Sequence, residues 1–144
     1  MTGARPPSKG TGGCLCGRVR YRVAGPLRPI VACHCGQCRR TSGHHTAATA
    51  CRRGDIEVED QDALAWYEST PGVRRGFCRR CGSSLFWDRD GADTLSIFAG
   101  SLDRPSGLQL IMHIFTDDAG DYYRIADGLP GLPQGGSEGA LPDS

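Results

Sequence analysis

The chain has no excess of charge, no membrane-length apolar run and no internal repeat outside its cysteine clusters. Its 144 residues carry a formal net charge of +1, which gives no electrostatic reason to expect nucleic acid or an anionic membrane as a partner. No stretch approaches the roughly 20 apolar residues of a membrane-spanning helix, and residues 1–12 lack the apolar segment of a secretory signal. We therefore expect a cytoplasmic protein that binds neither nucleic acid nor a membrane.

Cysteine, by contrast, is abundant and clustered. Seven of the eight cysteines lie in three short motifs, and only Cys51 stands apart. The motifs are C-x-C at 14–16, C-x-C-x-x-C at 33–38 and C-x-x-C at 78–81. Thiolates two or three residues apart can converge on one metal ion. In a reducing compartment such clusters indicate metal ligands rather than disulfides.

The first and third motifs together supply four thiolates, which is a closed tetrahedral zinc set. Gly17 and Gly82 directly follow the second cysteine of each motif. Glycine lets the backbone turn with positive φ, so that amide N–H groups can face the sulfurs. We predict a structural zinc that ties the two ends of the domain together. Its ligands are Cys14, Cys16, Cys78 and Cys81.

The middle motif supplies only three thiolates, from Cys33, Cys35 and Cys38. A zinc ion with three protein ligands keeps one position open, where an incoming thiol would bind as a thiolate. We therefore predict a second, open zinc site. The alternative is a closed structural zinc completed by a nearby histidine or by the lone cysteine. The candidates for that fourth ligand are His34, His44, His45 and Cys51.

Charged and titratable residues flank the middle motif. Arg39 and Arg40 follow it directly, and they are candidates either for holding a substrate carboxylate or for neutralising the thiolates. His34 lies between two of the cysteines and is a candidate proton donor or a residue that orients a loop. We predict that Cys51 is a small buried residue and that His113, inside an apolar run, is a satisfied core histidine.

Short alternating or apolar segments predict a mainly β fold with little helix. The only predicted helix is about two turns long, over residues 36–42. Residues 108–115 form an almost continuous apolar run, as expected of a central strand. Around a single zinc-binding domain, residues 13–130, we predict disordered ends at 1–12 and 131–144. The other predicted strands are 18–23, 29–33, 46–51, 56–59, 64–67, 84–87 and 94–99.

The cysteine motifs and their flanks resemble the glutathione-dependent formaldehyde-activating enzyme family, which includes centromere protein V. The resemblance extends to a C-terminal segment with two tyrosines, and it covers about residues 12–133. The segments that carry it are Gly13–Gly17, Cys33–Arg40, Phe77–Ser83, His113-Ile114-Phe115, Tyr122, Tyr123 and Asp127–Pro130.

The resemblance implies a small fold of zinc-stapled antiparallel sheets, the β-tent type also seen in methionine sulfoxide reductase B. It implies a structural zinc on the four outer cysteines and a second, more labile zinc on the middle three. The family's activity is the condensation of formaldehyde with glutathione to S-hydroxymethylglutathione. We therefore expect a carbon–sulfur lyase whose partners are a small thiol and a small aldehyde.

Two other functions fit the same cysteines. One is a non-catalytic interaction module in which both zinc ions are structural. The other is a reductase of the methionine sulfoxide type, which needs an exposed nucleophilic cysteine outside the metal sites. Cys51 is the only candidate for that nucleophile, and Arg52 and Arg53 beside it could lower its pKa.

Overall fold

Two β-sheets and one short α-helix organise residues 10–135, the part of the chain that this computed structural model describes. The smaller sheet is antiparallel, in the order β1-β2-β5, with β1 at Gly10–Gly13, β2 at Arg20–Val23 and β5 at Ile56–Glu59. The mainly β fold is therefore confirmed. The strands of the larger sheet are β3 Ile30–Cys33, β4 Thr46–Arg52, β6 Leu64–Thr70, β7 Val73–Cys78, β8 Ser84–Arg89, β9 Thr94–Phe98 and β10 Leu110–Ile114.

The larger sheet has seven strands in the spatial order β10-β3-β4-β9-β8-β7-β6. Its apolar residues pack against the smaller sheet, where Tyr21 and Phe86 meet edge to face with ring centroids 5.4 Å apart. Tyr21 and Val23 on β2 are buried, whereas Arg22 between them is exposed, because successive side chains of a strand point to opposite faces. This packing forms the core that holds the cysteine motifs in place.

The helix α1 spans Gly36–Ser42, as predicted. It begins at the N-cap Cys35, whose sulfur accepts the N–H of Cys38, and it ends at Gly43 in the left-handed conformation. The middle cysteine motif therefore runs from the end of β3 into the first turn of α1. Among the described residues, no helix has the length and apolar character needed to cross a membrane.

Strand β10 lies at the edge of the larger sheet, so the prediction of a central strand is wrong. It pairs in parallel with β3, and its other side is covered by residues 130–134. The N–H of His113 donates to the Pro130 carbonyl oxygen, and the N–H of Leu132 donates to the His113 carbonyl oxygen, each at 2.9 Å. Because residues 130–134 cover its outer side, β10 is largely apolar although it lies at the edge of the sheet. This covering segment also shows that residues 131–135 are ordered, contrary to the predicted tail.

The predicted disordered N-terminus is wrong for residues 10–12, which belong to β1. A side chain at Gly12 would collide with the Tyr21 hydroxyl and the Ser101 carbonyl oxygen. Glycine is therefore required by the close approach of β1 to its neighbours rather than by flexibility. The rest of the predicted disordered ends, residues 1–9 and 136–144, lies outside the described residues.

Candidate zinc centres and the adjoining cavity

The four outer cysteines converge at one point, with all four sulfurs within 4.8 Å of one another. The Cys16 sulfur lies 3.6 Å from that of Cys14 and 3.7 Å from that of Cys78. Tetrahedral zinc with Zn–S bonds of about 2.3 Å requires sulfur–sulfur separations of about 3.8 Å. The set therefore fits a zinc ion, which would join the chain just after β1 to the end of β7.

Backbone amides face these sulfurs as predicted. The N–H groups of Arg80 and Cys81 lie 3.4 and 3.5 Å from the Cys78 sulfur. The two glycines that follow the motifs have the predicted positive φ, 83° at Gly17 and 79° at Gly82. A hydrogen bond with the Ser83 hydroxyl lowers the pKa of Cys81 to about 5. At Cys81 this hydrogen bond favours the thiolate form that zinc requires.

The three middle cysteines form a separate set, with sulfurs within 4.8 Å of one another. Across the described residues, no histidine, cysteine or carboxylate adds a fourth ligand atom to it. The structure therefore excludes all four predicted candidates for a fourth ligand, which were His34, His44, His45 and Cys51. Hydrogen bonds from the thiols of Cys33 and Cys35, with help from the Arg75 guanidinium, lower the pKa of Cys38 to about 2. The set is chemically suited to zinc and one ligand short of a closed site.

Arg75 lies beside the middle set, although no motif in the sequence indicated it. It lies on β7, its side chain is only 7% exposed, and its two terminal nitrogens lie 3.8 and 3.9 Å from the Cys38 sulfur. The guanidinium also donates to the side-chain amide oxygen (Oε1) of Gln37 and to the Thr41 hydroxyl, both on α1. A buried cation so placed offsets the charge of the three thiolates. Because residues 73–78 were not predicted as a strand, the alternation that buries Arg75 and exposes Arg74 went unseen.

We expect Arg75→Met to weaken zinc binding at the middle set about 10- to 100-fold, as loss of an outer-shell partner commonly does. The measurement is competition with a chromophoric chelator. Arg74→Met is the matched control, because Arg74 is exposed, pairs with Asp88 and stacks on Trp66 with its guanidinium carbon 3.9 Å from the ring centroid. Equal weakening in both variants would show that Arg75 acts only through general stability.

A cavity of about 470 Å³ adjoins the middle cysteines, which form part of its wall. Aromatic side chains from β8, from β9 and from the residue after β10 contribute apolar surface, and arginines contribute positive charge. Arg28 donates to the backbone oxygens of Pro29 and Ala48. Arg89 is exposed, and its guanidinium has no hydrogen bond or ion pair with the described residues. The aromatic and cationic lining residues are Trp87, Phe98, Phe115, Arg28, Arg75 and Arg89.

The structure does not place Arg39 or Arg40 among the described residues that line this cavity. An α-helix turns about 100° per residue, so a helix that presents Cys38 to the site directs the next two side chains elsewhere. Arg39 is half-buried and Arg40 is exposed. The cavity's lining therefore gives no support to these residues as carboxylate anchors, and their predicted role in neutralising the thiolates stays a prediction.

His34 does not line the cavity, and both of its ring nitrogens are hydrogen-bonded elsewhere. Its Nδ1 lies 2.6 Å from the Tyr123 hydroxyl, and its Nε2 lies 2.8 Å from Nδ1 of His113. Burial, together with repulsion from His45 and His113, lowers the pKa of His34 to about 4, so the ring is neutral at neutral pH. The prediction of His113 as a satisfied core histidine is confirmed, because its Nε2 also pairs with Asp127 at 2.8 Å. Proton donation by His34 stays a prediction.

Cys51 is a buried core residue, as predicted. Its exposure is 0%, it packs in the main apolar cluster, and burial raises its pKa to about 12. A nucleophilic cysteine needs exposure and a lowered pKa. The reductase alternative is therefore wrong, because the buried position of Cys51 outweighs the two arginines that follow it.

The chain has relatives with matching sequence and fold. A Halomonas elongata protein, provisionally named a glutathione-dependent formaldehyde-activating enzyme, is 33% identical over 103 residues, which are 64% of this chain and 64% of that protein. The match thus spans just under two thirds of that relative's length. An uncharacterized lyase of Schizosaccharomyces pombe is 24% identical over 117 residues, 81% of this chain and 85% of that protein.

A crystal structure of a Rhodobacter sphaeroides protein shares the fold, with a TM-score of 0.58 and 23% identity over 84% of this chain and 98% of that one. Residues 9–118 match the family model of the glutathione-dependent formaldehyde-activating enzyme. That segment contains all three cysteine motifs and both converged thiolate sets. The chain therefore belongs to the glutathione-dependent formaldehyde-activating enzyme family.

Proposed function

We propose that the protein is a zinc-dependent carbon–sulfur lyase that joins a small aldehyde to a thiol and cleaves the same adduct in reverse. The observation that carries this proposal is a three-thiolate set, without a fourth ligand among the described residues, in the wall of a cavity. A purely structural zinc would have a fourth protein ligand and would not need an adjoining cavity. The family name supplies formaldehyde and glutathione as the reagents to try first.

Cys33, Cys35 and Cys38 would hold the zinc ion of this reaction. When bound there, zinc would supply the Lewis acidity that converts a substrate thiol into a thiolate at neutral pH. The reaction forms one bond between the thiol sulfur and the aldehyde carbon, and the thiol proton ends on the aldehyde oxygen. Atoms and electrons balance without an oxidant or reductant. The Arg75 guanidinium, whose terminal nitrogens lie 3.8 and 3.9 Å from the Cys38 sulfur, would offset part of the negative charge of the three thiolates.

The cavity lining favours a thiol with an anionic group. Its volume of about 470 Å³ lies within the range of small-molecule sites, about 300–1,000 Å³. Trp87, Phe98 and Phe115 would exclude water around the reacting sulfur. Arg89 is the cavity cation whose donors are not engaged with the described residues, so it is suited to a substrate carboxylate. Glutathione, with two carboxylates, meets this requirement.

The proposal is tested by following exchange between glutathione, formaldehyde and their adduct by NMR. We expect zinc-loaded protein to accelerate exchange over the spontaneous reaction at the same concentrations and pH. Protein treated with a chelator until only one zinc ion remains should fall to the spontaneous rate. Protein that carries two zinc ions and gives no acceleration would overturn the proposal.

Arg89→Ala should raise the KM for glutathione about 10-fold or more, since a hydrogen bond to a charged group contributes about 1.5–3 kcal/mol. It should leave the KM for 2-mercaptoethanol, an uncharged thiol, nearly unchanged. Arg104→Ala removes an exposed arginine that does not line the cavity and serves as the protein control. A parallel loss with both thiols would contradict the assigned role of Arg89.

A further inference from the structure

Four side chains form a continuous hydrogen-bonded chain that begins beside the middle cysteine motif and ends at the surface. The Tyr123 hydroxyl lies 2.6 Å from His34 Nδ1, and His34 Nε2 lies 2.8 Å from His113 Nδ1. His113 Nε2 lies 2.8 Å from Asp127 Oδ2. Both imidazoles are buried, whereas the Asp127 side chain is 41% exposed.

The charged end of this chain fixes the direction of its last hydrogen bond, and one assignment of tautomers pairs the remaining groups. The Leu129 N–H and then His113 lower the pKa of Asp127, so its carboxylate is ionised and can only accept. His113 therefore donates from Nε2, and in this assignment its Nδ1 accepts from His34 Nε2–H. The remaining His34 nitrogen, Nδ1, accepts from the Tyr123 hydroxyl. One set of tautomers satisfies all four groups.

The chain clamps the peptide between two zinc ligands. His34 lies between Cys33 and Cys35, and its N–H donates to the Ile114 carbonyl oxygen of β10 at 3.0 Å. Its ring is held by Tyr123 and, through His113, by the segment that follows β10. The ring bonds and the backbone bond together hold residue 34 in place, and the peptide groups on either side of it lead to Cys33 and Cys35.

Burying these polar side chains opposes folding unless every one of them is paired, because each unpaired buried imidazole nitrogen costs free energy. An aliphatic residue would pack at position 34 without that requirement. The arrangement does fix the residue between Cys33 and Cys35, and hydrogen bonds around metal ligands tune metal affinity.

We infer that Tyr123, His34, His113 and Asp127 are positioning residues of the second zinc site. They fix Cys33 and Cys35 for metal binding without contacting the metal. The inference rests on the proposed function, since it requires that the middle set binds zinc. It makes the C-terminal segment, which lies beyond the last cysteine motif, a determinant of zinc affinity.

Two adjacent tyrosines allow a matched test. Tyr123→Phe and Tyr122→Phe each remove one hydroxyl bonded to an imidazole Nδ1, but the partner of Tyr122 is the exposed His44, at 2.7 Å, outside the chain. We expect Tyr123→Phe to weaken the second zinc site about 10-fold or more, and Tyr122→Phe to leave its affinity unchanged. The measurement is chelator competition on the full-length, zinc-loaded protein, with melting temperature recorded in parallel.

Asp127→Ala tests the exposed end of the hydrogen-bonded chain, where a substitution is least expected to unfold the protein. It should weaken the same site, and the double variant with Tyr123→Phe should lose less than the product of the two single effects, because both break one chain. If the wild type binds two zinc ions and Tyr123→Phe matches Tyr122→Phe, the inference fails while the proposed function stands. A wild type that binds one zinc ion overturns both.

Discussion

Replacing Cys78 with serine is expected to leave the chain unfolded at neutral pH. A structural zinc site contributes on the order of 10 kcal/mol to folding, which is comparable to the whole stability of a small domain, about 5–15 kcal/mol. Serine can still accept the N–H groups of Arg80 and Cys81 that now face the Cys78 sulfur. The local turn is thus preserved, and the expected loss comes from the missing thiolate.

Cys51→Ser is the matched control for this substitution. Cys51 and Cys78 are both 0% exposed and belong to the same apolar cluster, but only Cys78 is part of a converged thiolate set. Burying a serine hydroxyl at position 51 should cost about 1–3 kcal/mol, which leaves the protein folded. Thermal melts with a zinc count distinguish the two. Equal melting temperatures would show that the outer cysteines do not stabilise the fold through a metal.

The sequence was sufficient to predict both thiolate sets, because within each motif the cysteines are only two or three residues apart. Such spacings are typical of zinc ligands. Helix α1 was predictable for a similar local reason, since Gly43 ends it with a φ of 87°. Arg75 was not predictable in the same way. Its contact with Cys38 joins residues 37 positions apart in the sequence and depends on how β7 packs beside α1, which the cysteine motifs do not indicate.

Two boundary predictions differ from the structure because segments rich in glycine and proline can still form backbone hydrogen bonds. The glycines of β1 permit close backbone approach to Tyr21 and Ser101, so a glycine-rich segment became a strand. Residues 130–134 are rich in glycine and proline, yet they complete the open edge of β10 through backbone hydrogen bonds. The cavity could not be predicted from the sequence either, because its wall combines residues from several strands that are distant in sequence.

Cys35→Ser is expected to abolish turnover while the fold is retained. Cys35 is the N-cap of α1, where its sulfur accepts the Cys38 N–H at 3.3 Å. Serine is among the strongest N-cap residues, so the helix should persist. The middle set would lose one of its three ligands, and we expect the zinc content to fall from two ions to one. Exchange between glutathione and formaldehyde should then proceed at the spontaneous rate.

The same variant separates an enzyme from an interaction module with two structural metals. The module requires Cys35→Ser to destabilise the fold as severely as Cys78→Ser, because both would remove a ligand from a structural site. The enzyme requires a melting temperature close to that of the wild type, together with lost activity. Cys51→Ser makes the identical chemical change outside both thiolate sets and should retain two zinc ions and full exchange. A Cys35→Ser protein that stays folded with one zinc ion but still accelerates exchange would remove the middle set from the reaction, because no other described cysteine set adjoins the cavity.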